Sequence, residues 1–304
     1  MVQIDRMHDR LIKELIDKGF LAKHLELACA KQTDFYPVLV GGVNIKRCAS
    51  LEPKAKRLLG KLGTNDIDIS FVVSKFVRDN SDPLVQTAHS TRLNFLTNLL
   101  YDPEFVAFVK QFGERRQTAV MLSLNMPQPV FEFIERVKLT SIIVKYKNAD
   151  GLVERGLIDT TIISNYADKT DMLYPKYIGK ALRDPIPYIM MKNLPFATCN
   201  FIFYDTVRVL SETLLTLHDG SNDQRKQLKV IKYIAKFCIM YTQVNKIKND
   251  DEFESIKRVY ETAREEMVKT EIDLPQYKQL VHKLKAALEK HTNFKQIEAA
   301  VTSI

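Results

Sequence analysis

Two aspartates in the stretch GTNDIDISFVV, residues 63–73, are the side chains of this chain best suited to bind a cation. Side chains alternate faces along a β-strand, so Asp66, Asp68 and Ser70 share one face and the apolar residues between them share the other. Two carboxylates this close repel each other unless a cation, an arginine or water relieves the repulsion. Carboxylate oxygens are ligands that Mg²⁺ prefers. The pattern predicts a metal site, and the alternative is a strand end whose acids face water.

A third acid, Asp159, interrupts the otherwise apolar and β-branched segment GLIDTTIIS, residues 156–164. An ionised carboxylate inside a buried strand is costly unless another group compensates its charge. A metal ion shared with Asp66 and Asp68 would provide that compensation. The alternative is that Asp159 accepts a hydrogen bond from a backbone amide in a loop.

A glycine pair, Gly41 and Gly42, separates the apolar run YPVLV from VNIKRCASL, which has the pattern of a helix start. Glycines at a helix N-terminus leave the peptide N–H groups and the positive end of the helix dipole open to a phosphate. The alternative is that the pair only makes a turn.

The order of these features resembles that of the nucleotidyltransferase superfamily typified by DNA polymerase beta and the poly(A) polymerases. The order is strand, glycine pair, helix, Asp-x-Asp strand, and a hairpin that carries a third acid. The resemblance implies that Gly41 and Gly42 hold the triphosphate of ATP. It also implies that Asp66 and Asp68 bridge two Mg²⁺ or Mn²⁺ ions, and that Asp159 binds the ion that activates the attacking hydroxyl.

Three segments resemble a narrower group, the poly(A) polymerase catalytic subunits of large nucleocytoplasmic DNA viruses. They are NDIDI, GLIDTTI and FATCNFIFYDTVRVL, within about residues 37–210. The resemblance implies template-independent addition of AMP from ATP to RNA 3′ ends, in the host cytoplasm or the virion. A second subunit or a homodimer is a further expectation. The alternatives are a catalytically inactive subunit of the same fold that binds RNA or protein, and a transferase for another acceptor.

Further nucleotide-binding candidates are Asn65, beside the first acid, and Asn200 and Tyr204 on the YDTVR helix, where Arg208 shares their face. The alternative is that Tyr204 and Arg208 pack between the two predicted domains and hold them together. Tyr146 and Lys145, on the strand before Asp159, either approach the primer or pack on the sheet.

Two basic groups are RNA-binding candidates. The first lies in residues 45–61, interpreted as a loop, and the second forms a stripe opposite an apolar face on the helix QRKQLKVIKYIAKF. The alternative for both groups is an ordinary solvated surface. The candidates are Lys46, Arg47, Lys54, Lys56, Arg57, Arg225, Lys229, Lys232 and Lys236.

The hydrophobic periodicity predicts an α/β (α+β) domain with a mixed sheet over residues 1–170 and an all-helical domain over residues 171–304. In the first domain we expect either one helix over residues 4–31 or two helices broken near Gly19, then helices that begin at Asp82-Pro83 and Asp102-Pro103. We expect the strands AVMLSL, LTSIIVKYK and LVERGLIDTTIIS, the last two joined by a hairpin at NADG. A proline-marked stretch then leads to helical candidates at residues 197–217, 224–247, 251–270 and 274–294.

The chain has 304 residues, 45% of them hydrophobic, and a formal charge of +8 from 45 basic and 37 acidic residues. An anionic partner such as nucleic acid or nucleotide phosphate is therefore favoured. The first residues lack the apolar core of a signal peptide, and no run of about 18 apolar residues occurs, so neither export nor a membrane span is predicted. Cys29, Cys48, Cys199 and Cys238 lack the spacing of a zinc site or a redox motif, which indicates reduced, mostly buried thiols in a cytoplasmic protein.

Overall fold

The computed structural model describes residues 2–30, 32, 34–59, 66, 67–77, 82–125, 140–148, 151–166, 188–217 and 224–267, with isolated positions beyond. Within these ranges the helices are α1 (Val2–Lys18), α2 (Phe20–Cys29), α3 (Gly41–Ser50), α4 (Pro53–Leu59), α5 (Pro83–Tyr101), α6 (Pro103–Glu114), α7 (Cys199–Leu217), α8 (Gln224–Asn245) and α9 (Asp250–Met267). The strands are β1 (Phe35–Val40), β2 (Ile67–Val77), β3 (Ala119–Asn125), β4 (Thr140–Asn148), β5 (Gly151–Tyr166), β6 (Tyr188–Met191) and β7 (Leu194–Ala197).

The chain forms two compact units that interleave along the sequence. The first comprises Met1–Asn44, Leu62–Ala167 and Ile186–Ala197, and the second comprises Ile45–Lys61, Asp168–Pro185 and Thr198–Ile304. A division into consecutive domains at residues 170 and 171 stays a prediction.

The first unit contains a seven-stranded mixed sheet in the order β3-β4-β5-β2-β1-β7-β6. The central pair, β2 and β5, runs parallel, whereas β1 and β4 pair antiparallel with β2 and β5 from either side. The mixed α/β class predicted from the sequence is therefore confirmed. The predicted β4–β5 hairpin is also present, with Asn148 opposite Gly151.

Strand β2 shows the predicted alternation. Ile67, Ile69 and Phe71 are completely buried in the core beneath the sheet, where the Phe71 ring contacts that of Phe95 on α5. The alternate positions face the other side, and there the hydroxyl of Ser70 is hydrogen-bonded to that of Thr161 at 2.9 Å. The burial of one face therefore fixes which side of the sheet carries the acids.

The helix starts and stops follow local sequence chemistry. Gly19 separates α1 from α2 with φ +79°, a conformation that side chains with a Cβ rarely adopt. Asp82 and Asp102 cap α5 and α6, each followed by a proline at the first helical position. These three predicted boundaries are confirmed.

Strands β6 and β7 correct the expectation that the sheet ends near residue 164. They form an antiparallel hairpin, and β7 joins the sheet through a parallel contact between Leu39 and Phe196. Lys192 and Asn193 both have positive φ in the two-residue turn, as a tight hairpin requires. The proline-marked stretch gave no prediction of these strands, because proline usually interrupts a strand, whereas Pro195 is tolerated in a short strand with few ladder bonds.

In the second unit, α8 packs against α7, α9 and α4. Phe203, Phe237 and Tyr241 form an aromatic cluster there, with ring centroids of Phe203 and Phe237 5.8 Å apart. The regular elements described in this unit are helices, but an entirely helical domain stays a prediction, since residues 168–185 and nearly all of 274–294 lie outside the described residues. In the described part of the chain, no helix has the length and apolar character needed to cross a membrane.

Candidate metal centre and nucleotide site

The structure brings Asp66, Asp68 and Asp159 together. Asp66 immediately precedes β2, and Asp68 lies directly opposite Asp159 in the parallel β2–β5 pair. One carboxylate oxygen from each of the three residues lies within 4.8 Å of the other two, and all three residues are half-buried. The three acids separated in the sequence therefore form one acidic cluster on one side of the sheet.

The electrostatics of this acidic cluster are unfavourable in the absence of a cation. Burial raises the pKa of Asp159 to about 8, and the negative charges of Asp66 and Asp68 add to that shift, as does a hydrogen bond to Asp66. Ser141, opposite Asp159 in the β4–β5 pair, opposes the shift because it hydrogen-bonds the Asp159 carboxylate. Asp159 is therefore largely protonated at neutral pH. Three hard oxygen donors that repel one another suit a divalent cation such as Mg²⁺ or Mn²⁺.

A β-bulge in β5 lies next to the acidic cluster. Ile142 and Ile143 on β4 pair with Ile158 and Gly156, so Leu157 is an extra residue in β5. Such a bulge bends a strand and turns the following side chains. A Cβ added to Gly156 would lie 3.5 Å from Asp159 Oδ1, which is ordinary van der Waals contact.

His8 supports this bulge from the core. Its Nε2–H donates to the Gly156 carbonyl at 2.8 Å, which leaves Nδ1 to accept from the Tyr146 hydroxyl at 2.7 Å. Tyr146 is completely buried, and burial raises the pKa of its hydroxyl. Of its two predicted roles, the structure therefore favours packing, and Lys145 forms an ion pair with Glu154 at 2.7 Å.

Sequence reasoning missed His8, Ser141 and Gly156. Their proximity to the acidic cluster depends on strand register and on the bulge, and neither is encoded in a local pattern. The only available signal for Ser141 was its position near the start of the strand that forms a hairpin with β5.

The glycine pair lies beside the acidic cluster. Gly41 has φ +66°, and a Cβ at this position would overlap the carboxylate of Asp68. The Gly42 N–H donates to Asp68 Oδ2 at 3.3 Å. The buried Asn44 fixes this turn by donating from its amide nitrogen to the carbonyls of Leu39 and Ala197, both at 2.9 Å. A glycine is therefore required at position 41 by both backbone conformation and space.

The other predicted nucleotide contacts are not part of this acidic cluster as described. Asn65 and the side chain of Arg208 lie outside the described residues. Asn200 is exposed in the first turn of α7, and Tyr204 is half-buried with its ring 5.2 Å from that of Phe203. Their roles in nucleotide binding stay predictions.

The basic segment at residues 45–61 was expected to be a loop, but it contains the end of α3 and all of α4. Lys54 donates to Asp250 at 2.7 Å and to the Lys248 carbonyl at 3.1 Å, so it ties α4 to the start of α9. Lys46 is half-buried on α3, whereas Lys56 and Arg57 are exposed on α4. The guanidinium of Arg47 contacts two cysteines.

The basic stripe predicted on α8 differs from the structure at one end. Lys229 is exposed and Lys232 half-buried, but Lys236 is only 7% exposed, with its ammonium 4.5 Å from the Tyr233 ring centroid. A long lysine stem packs readily against apolar neighbours, which explains its burial among the helices of this unit. Leu228, an apolar residue of the same helix, is 41% exposed. The side chain of Arg225 lies outside the described residues.

Among known proteins, the chain has similarity only to solved structures. No protein-family model matches the chain, and no curated protein matches it. The solved structures that match include a chain from H. pylori described as a "putative nucleotidyltransferase". It is 13% identical with a TM-score of 0.26, over 86% of this chain and 96% of that chain.

Proposed function

We propose that this chain is a nucleotidyltransferase of the superfamily typified by DNA polymerase beta, and that it adds AMP from ATP to RNA 3′ ends as a poly(A) polymerase. The observation that carries the proposal is the convergence of Asp66, Asp68 and Asp159 within 4.8 Å of one another beside Gly41. The arrangement fits a two-metal phosphoryl-transfer site, in which the protein mainly positions reactants and ions.

The three aspartates fit the ions that this chemistry uses. They offer only carboxylate oxygens, and the raised pKa of Asp159 reflects negative charge that a divalent cation would compensate. Bound Mg²⁺ or Mn²⁺ would acidify the attacking 3′-hydroxyl and neutralise charge on the leaving pyrophosphate. In the reaction, the 3′-oxygen forms a bond to the α-phosphorus while the bond from that phosphorus to pyrophosphate breaks.

Gly41 and Gly42 would bind the triphosphate. They form the first turn of α3, where backbone N–H groups have no partner within the helix and the helix dipole favours an anion. The missing side chain at Gly41 leaves room for the Asp68 carboxylate to lie against this turn. The hydrogen bonds of Asn44 to β1 and β7 hold this turn in place and so orient its N–H groups.

Two observations support RNA and ATP as the substrates. The segment FATCNFIFYDTVRVL is similar to viral poly(A) polymerase catalytic subunits, and the charge of +8 favours an anionic polymer. The exposed Lys56, Arg57 and Lys229 are the most accessible of the predicted RNA contacts.

Primer extension tests the proposal. The purified protein is incubated with labelled ATP, a short RNA and Mg²⁺ or Mn²⁺. We expect extension that requires the metal and disappears in Asp66→Ala and Asp68→Ala. Asp250→Ala is a matched control, because Asp250 is an exposed acid of the other unit. Metal-independent extension, or wild-type activity in both cluster variants, would contradict the assignment.

The melting temperature with Mg²⁺ and ATP separates the alternatives. A ligand that binds only the folded state raises that temperature, so an active site should show a rise that Asp68→Ala abolishes. A rise without RNA extension, together with transfer of AMP to another acceptor, would retain the transferase and reject the RNA substrate. Neither a rise nor transfer would favour a catalytically inactive subunit.

A further inference from the structure

Two cysteines that are distant in the sequence are neighbours in the second unit. One nitrogen of the Arg47 guanidinium donates to Cys48 Sγ at 3.1 Å and to Cys199 Sγ at 3.6 Å. The two thiols are also hydrogen-bonded to each other. Cys48 lies on α3 and is completely buried, whereas Cys199 is half-buried as the first residue of α7. This thiol pair is built into the fold, although its sequence spacing resembles no redox motif.

The surroundings divide the pair into one thiolate and one thiol. The hydrogen bond from Cys48 and the positive charge of Arg47 lower the pKa of Cys199 to about 6, against the effect of its burial. The same hydrogen bond, together with burial, raises the pKa of Cys48. The N-terminus of α7 also favours a negative charge at Cys199.

The other two cysteines provide an internal contrast. Burial raises the pKa of Cys29 to about 11 and that of Cys238 to about 12. Cys29 is half-buried like Cys199, so solvent access alone does not distinguish them. The difference lies in the guanidinium and in the neighbouring thiol.

We propose that Cys199 and Cys48 form a peroxide-reactive pair, in which the sulfur of Cys199 attacks hydrogen peroxide and Cys48 then closes a disulfide with it. The ligand class is hydrogen peroxide and small organic hydroperoxides. This site is separate from the acidic cluster and does not depend on the proposed function.

The two steps balance in atoms and electrons. In the first, the Cys199 thiolate forms a sulfur–oxygen bond as the peroxide oxygen–oxygen bond breaks, and the departing hydroxide takes a proton to become water. In the second, Cys48 loses its proton and its sulfur attacks the Cys199 sulfur, so that a sulfur–sulfur bond forms and the sulfur–oxygen bond breaks with release of water. The two thiols together lose two electrons, and peroxide is reduced to two water molecules.

The disulfide would join the C-terminal half of α3 covalently to the first residue of α7. Both segments belong to the second unit, and the bond would close a long loop of the chain, from residue 48 to residue 199, most of which belongs to the first unit. A disulfide that the fold accepts without distortion stabilises it by restricting the unfolded chain. Oxidation should therefore raise the melting temperature of the full chain.

The experiment uses the full-length wild-type protein and needs no variant. Reduced protein is pulse-labelled with iodoacetamide at neutral pH, and the label on each cysteine is quantified by peptide mass spectrometry. We expect Cys199 to react more than about tenfold faster than Cys29. A second sample receives equimolar hydrogen peroxide, and we expect a disulfide-linked peptide that contains Cys48 and Cys199. Equal labelling of Cys29 and Cys199, or the absence of this linked peptide, would overturn the proposal.

Three variants assign the order of the steps. Cys48→Ser should stop at a sulfenic acid on Cys199 that a dimedone probe traps, and Cys199→Ser should leave Cys48 unoxidised. Cys29→Ser is the matched control and should form the disulfide like the wild type. Oxidation of Cys48 in the Cys199→Ser variant at the wild-type rate would overturn the assigned roles.

Discussion

Two aspartates of the first unit, the buried Asp102 and the half-buried Asp159 of the acidic cluster, have opposite electrostatic environments. Asp102 accepts hydrogen bonds from His24 Nε2 at 2.7 Å, from Lys23 Nζ at 3.3 Å and from two backbone N–H groups at the start of α6. These donors lower its pKa to about 2, with the bond to His24 contributing most. Asp159 instead faces two other acids, and its pKa is raised to about 8, mainly by burial.

The comparison shows how a structural acid differs from an acid arranged for a ligand. The fold supplies Asp102 with donors, so its negative charge stabilises the folded state. The fold supplies Asp159 with further carboxylates, so charging it is unfavourable without a cation to compensate the charge. A buried acid without sufficient donors is therefore a more useful indicator of function than an acid count.

The largest expected effect is a loss of activity on substitution in the acidic cluster that substitution of Asp102 does not cause. On the proposed function, Asp68→Asn should lower primer extension by more than about a thousandfold, because it removes a carboxylate that would bind the metal. Asp102→Asn should leave the turnover of the folded protein unchanged. Rates are measured with labelled ATP and short RNA at saturating Mg²⁺. Equal loss of activity in both variants would show that the distinction is wrong.

The second prediction concerns space beside the acidic cluster. Gly41→Ala should reduce activity by about a hundredfold, because the added Cβ displaces the Asp68 carboxylate. Gly19→Ala is a matched control, since Gly19 also has positive φ but a Cβ added there would have no neighbour within 4 Å. Both variants should lose about 1 kcal/mol of stability from backbone strain, measured by urea unfolding. If Gly41→Ala keeps the activity of Gly19→Ala, displacement of the Asp68 carboxylate does not impair the reaction and the prediction is wrong.

The third prediction is that Mg²⁺ binding releases about one proton from Asp159 below pH 7 and weakens about tenfold per pH unit between about pH 8 and pH 6. In the folded protein the pKa of Asp159 is about 8, above its ordinary value of 3.8. Its contribution to the stability of the metal-free folded state is therefore complete below about pH 4 and is lost as the pH rises through 8. Calorimetric titration in two buffers of different ionisation enthalpy counts the protons. Asp159→Asn should abolish the release, and a pH-independent affinity would refute the assigned pKa.

The fourth prediction is that the contribution of Asp102 to stability has the opposite pH dependence to that of Asp159. The depressed pKa of Asp102 contributes stability that is present above about pH 4 and is lost as pH falls towards 2. Asp102→Asn keeps an oxygen that can cap α6 but loses the negative charge that the donors of His24 and Lys23 stabilise, so it should cost about 1 to 2 kcal/mol at neutral pH, and the difference from wild type should shrink in acid. Urea unfolding at a series of pH values measures both. A cost that stays constant down to pH 2 would argue against the ionised form as its source.

The smallest expected effect concerns Ser141. Ser141→Ala removes a hydrogen-bond donor from Asp159, which should raise the pKa of Asp159 further and weaken Mg²⁺ binding at pH 7 by about fivefold. Ser141→Thr retains the hydroxyl and serves as the rescue variant. Unchanged binding in Ser141→Ala would indicate that this hydroxyl does not tune the acidic cluster.

Features with a local cause were predictable from sequence. The alternation of Asp68 with Ile67 and Ile69, the break at Gly19 and the proline-marked helix starts each follow from a pattern of a few residues. The acidic cluster itself was predictable only because Asp159 interrupts an apolar strand, a conflict that local rules detect but cannot resolve.

Features that depend on tertiary packing were not predictable. The contact of His8 with Gly156 arises from a bulge, the burial of Lys236 from helix packing, and the pairing of Cys48 with Cys199 from the arrangement of α3 and α7. No short pattern encodes these long-range neighbours. The β6–β7 hairpin was not predicted for a different reason. Its strands have only four residues each, and one of them contains a proline, which usually indicates irregular structure.

The parallel pairing of β2 with β5 has a kinetic consequence. Asp68 and Asp159 are directly opposite each other although they lie about ninety positions apart, and contacts of such sequence separation form late in folding because the loop between them must first close. In a chain that has formed only the β4–β5 hairpin, Asp159 has neither Asp66 nor Asp68 beside it. A divalent cation should therefore slow the unfolding of the finished sheet without accelerating its assembly.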